Sequence, residues 1–265
     1  MKKIIKLVSF AILINLNSIF AVDKYTVVKV LGNITIKKTG VQLKQGDVIL
    51  ANEPIDFKTS EAKASVISSE KGRFILSASN AFNGISNVKS NLLPPMGNIS
   101  SRSGLILNLT DLKTNFSENY LILKQVELSI GKSVFPMNDS SFFYFSYLHK
   151  QENVNKKLSH KNDTLLIIEK ELFLVDGLSI AHSESTSVKL NYKSGKSTLF
   201  ITEFNVITPN NDQIVKEVKI ILDQSKNKIY KDVLEDVISY FTEFYGKTDS
   251  KNVKNWLKDN FNFQQ

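Results

Sequence analysis

From Lys24 onward the chain alternates short apolar, β-branched segments with turn residues, and only after Ile229 does the apolar spacing become that of a helix. A chain patterned in this way commits to sheets first and helices last. That order places it among mainly β folds with an α+β C-terminal domain. At the start, 25–31 is rich in β-branched residues and stops at Gly32, and Asn33-Ile34-Thr35-Ile36-Lys37 alternates before Thr39-Gly40, the pattern of a hairpin. Further strands are expected at 41–50 around the turn Gln45-Gly46-Asp47, at 55–57, at 64–67, and at 73–76 after Glu70-Lys71-Gly72. Short strands at this spacing predict a small β-barrel or SH3-like module over residues 22–78.

The pattern then breaks. Between 79 and 119 the chain is crowded with Asn, Ser, Gly and the pair Pro94-Pro95, which predicts a turn-rich linker, with Leu105-Ile106-Leu107 as one added strand inside it. Residues 120–265 read as a second domain, with strands at 121–130, 142–148, 165–168, 171–175, 187–192, 198–206 and 217–222. Two helices follow. In 229–245, Val233, Leu234, Val237, Ile238, Phe241 and Phe244 fall at helical spacing before Gly246, and Thr248, Asp249 and Ser250 offer an N-cap for a helix carrying Val253, Trp256, Leu257 and Phe261. The expectation is an antiparallel sheet covered by these two C-terminal helices, with Trp256 as a buried anchor.

Residues 1–21 fit the plan of a secretory signal peptide. Lys2, Lys3 and Lys6 make a basic start, 7–16 is a mostly apolar run, and Ser18-Ile19-Phe20-Ala21 is a small-residue exit, so the mature chain is expected to begin near Val22. The run is short for a bilayer span, which needs roughly 20 residues, and no later segment is apolar enough to span. The expected location is therefore periplasmic or secreted. The chain has no cysteine, so an exported fold must be held by its apolar core. Lipid attachment through cysteine, thiol nucleophiles, thiolate zinc sites and iron–sulfur clusters are excluded with it. The net charge of +8 includes the three leader lysines, and every other basic residue except Arg73 and Arg102 is lysine. Without the bidentate arginine fork, nucleic acid is not an expected partner.

No motif marks a catalytic, cofactor or metal site. Ser194-Gly195-Lys196-Ser197-Thr198 imitates a phosphate loop, but Leu190 stands where a glycine is needed and a strand rather than a helix follows, so a hairpin turn is the reading. Gly131-Lys132-Ser133 fails the same way at Val126. His149, His160 and His182 have no ligand spacing, and no Gly-x-Ser-x-Gly elbow announces a serine nucleophile. Asp232 and Asp236 share a helix face, which reads as solvated surface. The densest aromatic segment, Phe142-Phe143-Tyr144-Phe145-Ser146-Tyr147, puts rings on both faces of a strand. It fits a central core strand or one face turned to a ligand such as sugar or peptide.

One resemblance rests on particular residues. Val30-Leu31-Gly32-Asn33-Ile34, then Leu43-Lys44-Gln45-Gly46-Asp47-Val48-Ile49, Ile55, Ala62-Lys63-Ala64-Ser65-Val66 and Gly72 resemble the strand-and-turn pattern of FecR-like periplasmic modules over about a quarter of the chain. Lys71-Gly72 stands where that family usually has Asp-Gly, and the membrane helix and sigma-factor-binding region of its transmembrane regulators have no counterpart. What the resemblance implies is an extracytoplasmic β-module, without the signalling. The function expected from the whole chain is that of an exported bacterial envelope protein. It is read as a noncatalytic binding or envelope-assembly module whose partner is an envelope protein or a glycan. The alternative is a secreted or periplasmic hydrolase whose residues come from distant strands.

Overall fold

The computed structural model describes residues 22–79, 105–116 and 118–264, so the signal-peptide segment and residues 80–104 of the expected linker lie outside the described residues. The described chain divides into two compact units, one of residues 22–68 and 75–79, the other of 69–74 and 105–264.

In the first unit, β1 (Lys24–Leu31), β3 (Val48–Leu50), β5 (Lys63–Ser68) and β6 (Gly72–Ser77) form an open four-stranded sheet in the order β3-β1-β5-β6, beside a separate pair of β2 (Ile34–Ile36) and β4 (Ile55–Phe57). Most strands fall where the alternation predicts them, but β1 and β2 do not make the expected hairpin, since β1 pairs with β3 and β5 and β2 with β4. The stretch before the turn at 45–47 adds only a bridge at Gln42, and no barrel closes among the described residues. Among the described residues β3 and β6 are the edges, and β3, three residues long with Val48 and Leu50 both exposed, pairs there with β1 alone. Gly32 turns the chain at φ +74°, and a Cβ there would lie 3.0 Å from that of Ala62, so both backbone and space demand glycine.

The second unit begins within the expected linker. β7 (Leu105–Ile106) and α1 (Leu109–Asn115) are held there, with Ile106, Leu112 and Phe116 buried in the unit's core. Then follow β8 (Asn119–Leu121), β9 (Gln125–Ile130), β10 (Ser141–His149), β11 (Glu152–Lys157), β12 (Ser159–Lys161), β13 (Thr164–Ile168), α2 (Glu169–Leu172), β14 (Leu174–Val175), β15 (Leu178–Ser179), β16 (Ser185–Ser194) and β17 (Ser197–Ile207). They make two principal sheets rather than one, a five-stranded sheet β11-β10-β16-β17-β8 and a four-stranded sheet β12-β13-β9-β7. Alternating residues of both sheets share one apolar core, with Phe143, Phe145, Tyr147, Leu190 and Phe204 from the first and Val126, Leu128, Leu165 and Ile167 from the second.

Three helices end the chain: α3 (Asn211–Gln224), α4 (Tyr230–Phe244) and α5 (Ser250–Phe261). The strand expected at 217–222 is the second half of α3. Its Val218-Lys219-Ile220-Ile221 run has strand-like composition, but Asn210 caps the helix through the Asp212 and Gln213 amides, and Ile214, Val218 and Ile221 bury one helical face. The strand expected at 171–175 is likewise divided between α2 and β14. Asp249 is the residue that caps α5, accepting the Asn252 amide at 2.8 Å. Gly246 follows α4 at φ +109°, with a notional Cβ only 2.4 Å from the Asn119 carbonyl oxygen, so it both stops the helix and admits β8. Trp256 is 2% exposed, edge-on to Phe241 at 5.7 Å, and its indole N–H donates to Asn211 Oδ1 at 3.0 Å. No helix among the described residues is long and apolar enough to cross a membrane.

Candidate binding face

β10 has a side-chain period of two, so its aromatic run is divided between the faces of the five-stranded sheet. Phe143, Phe145 and Tyr147 point into the core, where Phe145 meets Phe204 edge-on at 5.6 Å and Tyr147 donates its hydroxyl to the Leu172 carbonyl at 2.6 Å. Phe142 and Tyr144 are half-buried on the other face, with ring centroids 6.3 Å apart. The core reading holds for the inward face, and the rings of the other face are turned outward.

Register builds the outer face. Tyr144 lies opposite Lys157 of β11 and Asn191 of β16, and Asn191 lies opposite Phe200 of β17, so one row reads Lys157, Tyr144, Asn191, Phe200. The adjacent row pairs Phe142 with Lys193 and Lys193 with Thr198. Rows are about 7 Å apart and neighbouring strands about 4.8 Å, so the patch measures roughly 15 Å across the strands. Lys157 Nζ stands 4.5 Å from the Phe142 ring centroid and Lys193 Nζ 5.7 Å, placing two ammonium groups against one ring. Both lysines are exposed, and among the described residues neither forms an ion pair. Beside them runs a polar ladder across three strands, in which Asn191 Nδ2 donates to Ser146 Oγ at 3.2 Å and Ser146 Oγ donates to Asn155 Oδ1 at 2.6 Å. Phe200 is 52% exposed, because the bulge opposite Leu190 and Asn191 turns Ile201 inward and leaves Phe200 outside.

Other polar groupings have different characters. Glu217 of α3, 1% exposed, accepts from Tyr240 Oη at 2.7 Å, from Tyr245 Oη and from Gln213 Nε2 at 3.0 Å. Burial, together with the Glu217 charge, pushes both phenols above the usual tyrosine range, so they remain donors. This cluster ties α3 to the end of α4 and is closed to solvent. Thr208 Oγ1 lies 3.5 Å from His182 Nδ1, the geometry nearest to a hydroxyl and its base. That nitrogen is also 3.0 Å from the Ser183 carbonyl oxygen, and such a contact is a hydrogen bond only when Nδ1 carries the proton, which leaves it no lone pair for Thr208. The His182 ring is stacked on Phe173 at 3.6 Å, and burial raises the carboxyl of neighbouring Glu169. At the start of α5 a notch lined by Glu127, Asp249, Lys251 and Asn252 has room for about one water.

The sequence candidates are dispersed. His149 ends β10, His160 lies in β12, and His182 precedes β16; Asp236 is paired with Lys228 at 2.6 Å. Among the described residues no group of three or more His, Asp or Glu side chains is arranged to hold a metal. Ser194-Gly195-Lys196-Ser197 is the tip of the β16–β17 hairpin, with Gly195 at φ +57°. Lys157, Lys193, Asn191 and Phe200 went unread as site residues because each belongs to a different strand stretch from the aromatic run. The signal for some of them was present: a hairpin recognised at Gly195 already sets Lys193 opposite Thr198.

No protein-family model matches this chain, and no curated protein or solved structure is found to be similar to it.

Proposed function

We propose that this is an exported bacterial envelope protein, periplasmic or released, which acts by binding rather than by catalysis and uses the outer face of the five-stranded sheet as its contact surface. The observation that carries the reading is the set of Phe142, Tyr144 and Phe200 on that face, accompanied by Lys157 and Lys193, which form no ion pair among the described residues. Outward rings cost solvation and add nothing to the core, which is the mark of a contact surface. A basic start and apolar run at 1–21 support export, and the resemblance of the first unit to FecR-like modules supports an extracytoplasmic setting. The partner is an envelope protein or a glycan.

Expression with the leader in a Gram-negative host is expected to yield protein in the soluble envelope fraction with its N-terminus near Val22. That purified protein is expected to co-sediment with isolated cell-envelope material. The triple variant Phe142→Ala/Tyr144→Ala/Phe200→Ala is expected to remain folded and lose the co-sedimentation. Cytoplasmic protein that retains Met1 would overturn export, and undiminished sedimentation of the folded triple variant would overturn the assignment of the face.

A further inference from the structure

We infer that the ligand of this face is an acidic polysaccharide, a chain of sugar rings bearing carboxylates. The inference rests on the binding face proposed above and specifies what it takes. Charge is the first argument. Lys157 and Lys193 reach Phe142 from the strands on either side of it, at 4.5 and 5.7 Å from its centroid, and neither is neutralised by a carboxylate among the described residues. Two cations held against one ring repel each other, and an anion placed between them relieves that repulsion. The face is therefore electrostatically incomplete.

The second argument separates a sugar chain from an acidic peptide. β10 and β16, which carry Phe142, Tyr144 and Lys193, are inner strands whose backbone groups are engaged in the sheet, whereas β11 and residues 197–204 of β17, which β8 does not reach, form edges among the described residues. A peptide docking by strand addition would lie along one of those edges, whereas over Phe142 and Tyr144 the sheet offers only side chains. Those side chains are half-exposed rings, which suit the apolar faces of sugar rings, next to the exposed Asn155 amide, which suits sugar hydroxyls and is held in place by the Ser146 hydroxyl and the buried Asn191. A sugar chain brings its own hydrogen-bonding groups to a flat surface. An extended peptide leaves its main chain unpaired there.

The test measures binding of the purified protein to polygalacturonate, to the same polymer with its carboxylates methyl-esterified, and to poly-glutamate, each at low and at high salt. Polygalacturonate is expected to bind, with affinity falling as salt rises, and the esterified polymer to bind at least about tenfold more weakly. Lys157→Gln/Lys193→Gln is expected to weaken polygalacturonate binding about tenfold while its thermal unfolding midpoint stays at the wild-type value. The salt series on unaltered protein stands whether or not that variant folds. Equal binding of the charged and esterified polymers, or poly-glutamate binding as tightly as polygalacturonate, would overturn the acidic-glycan assignment yet leave the binding face intact. Envelope co-sedimentation that survives the triple aromatic variant would instead remove the face itself.

Discussion

The two faces of β10 carry the same kind of residue and have opposite fates. Inward, Phe143 and Phe145 are no more than 1% exposed and packed among aromatic rings of neighbouring strands, as Phe143 is against Tyr192 at 4.9 Å. Outward, Phe142 and Tyr144 have lysines, amides and hydroxyls for neighbours. An aromatic side chain has no fixed destination in a sheet. Whether it stabilises the fold or presents a surface depends on which side of the pleat it occupies and on what the adjacent strands place beside it.

The largest expected effect lies on the inner face. Phe145→Ala should destabilise the protein by about 3–5 kcal/mol, measured by chemical denaturation, because it opens a cavity beside Phe204 that the sheet pair cannot refill. A loss under about 1 kcal/mol would mean that the two sheets do not share a close-packed core there. A smaller effect tests the polar margin of the same face. Tyr147→Phe removes the hydroxyl that donates to the Leu172 carbonyl and leaves that buried acceptor without this bond, so about 1–2 kcal/mol of stability should be lost. The smallest change belongs outside: Tyr144→Ala should alter unfolding free energy by no more than about 1 kcal/mol, since its ring is half-exposed. Should Tyr144→Ala prove as costly as Phe145→Ala, the contrast between the faces would collapse.

Much of this was legible along the chain. The short strands of the first unit, the caps at Asp249 and Gly246 and the buried stripe that includes Trp256 follow from local chemistry and periodicity. Where local composition and tertiary demand disagreed, reading failed: the β-branched run in α3 looks like a strand, and only the Asn210 cap and the Ile214, Val218, Ile221 face reveal a helix. The open edge of β3 also escaped, because a strand list does not say which strands close on one another. Leu112 and Phe116 sat in a stretch read as linker, since polar neighbours hid two core residues.

For the candidate face the division is sharper. Periodicity alone determined that the run from Phe142 to Tyr147 must display rings on both sides of a strand, because successive side chains of an extended backbone point in opposite directions. Only the tertiary structure decided which rings face outward, and that Lys157, Asn191, Lys193 and Phe200 meet them. Lys157 and Phe200 come into place through the local hairpins β10–β11 and β16–β17, the latter with a bulge opposite Leu190 and Asn191 that sets Phe200 outside, but Asn191 and Lys193 meet the rings only through the pairing of β10 with β16, strands far apart in sequence. The turns fix register within each hairpin, but the register of β10 against β16 arises from packing of the sheet as a whole, where a shift of one residue would exchange the two faces, so no local segment encodes that pairing.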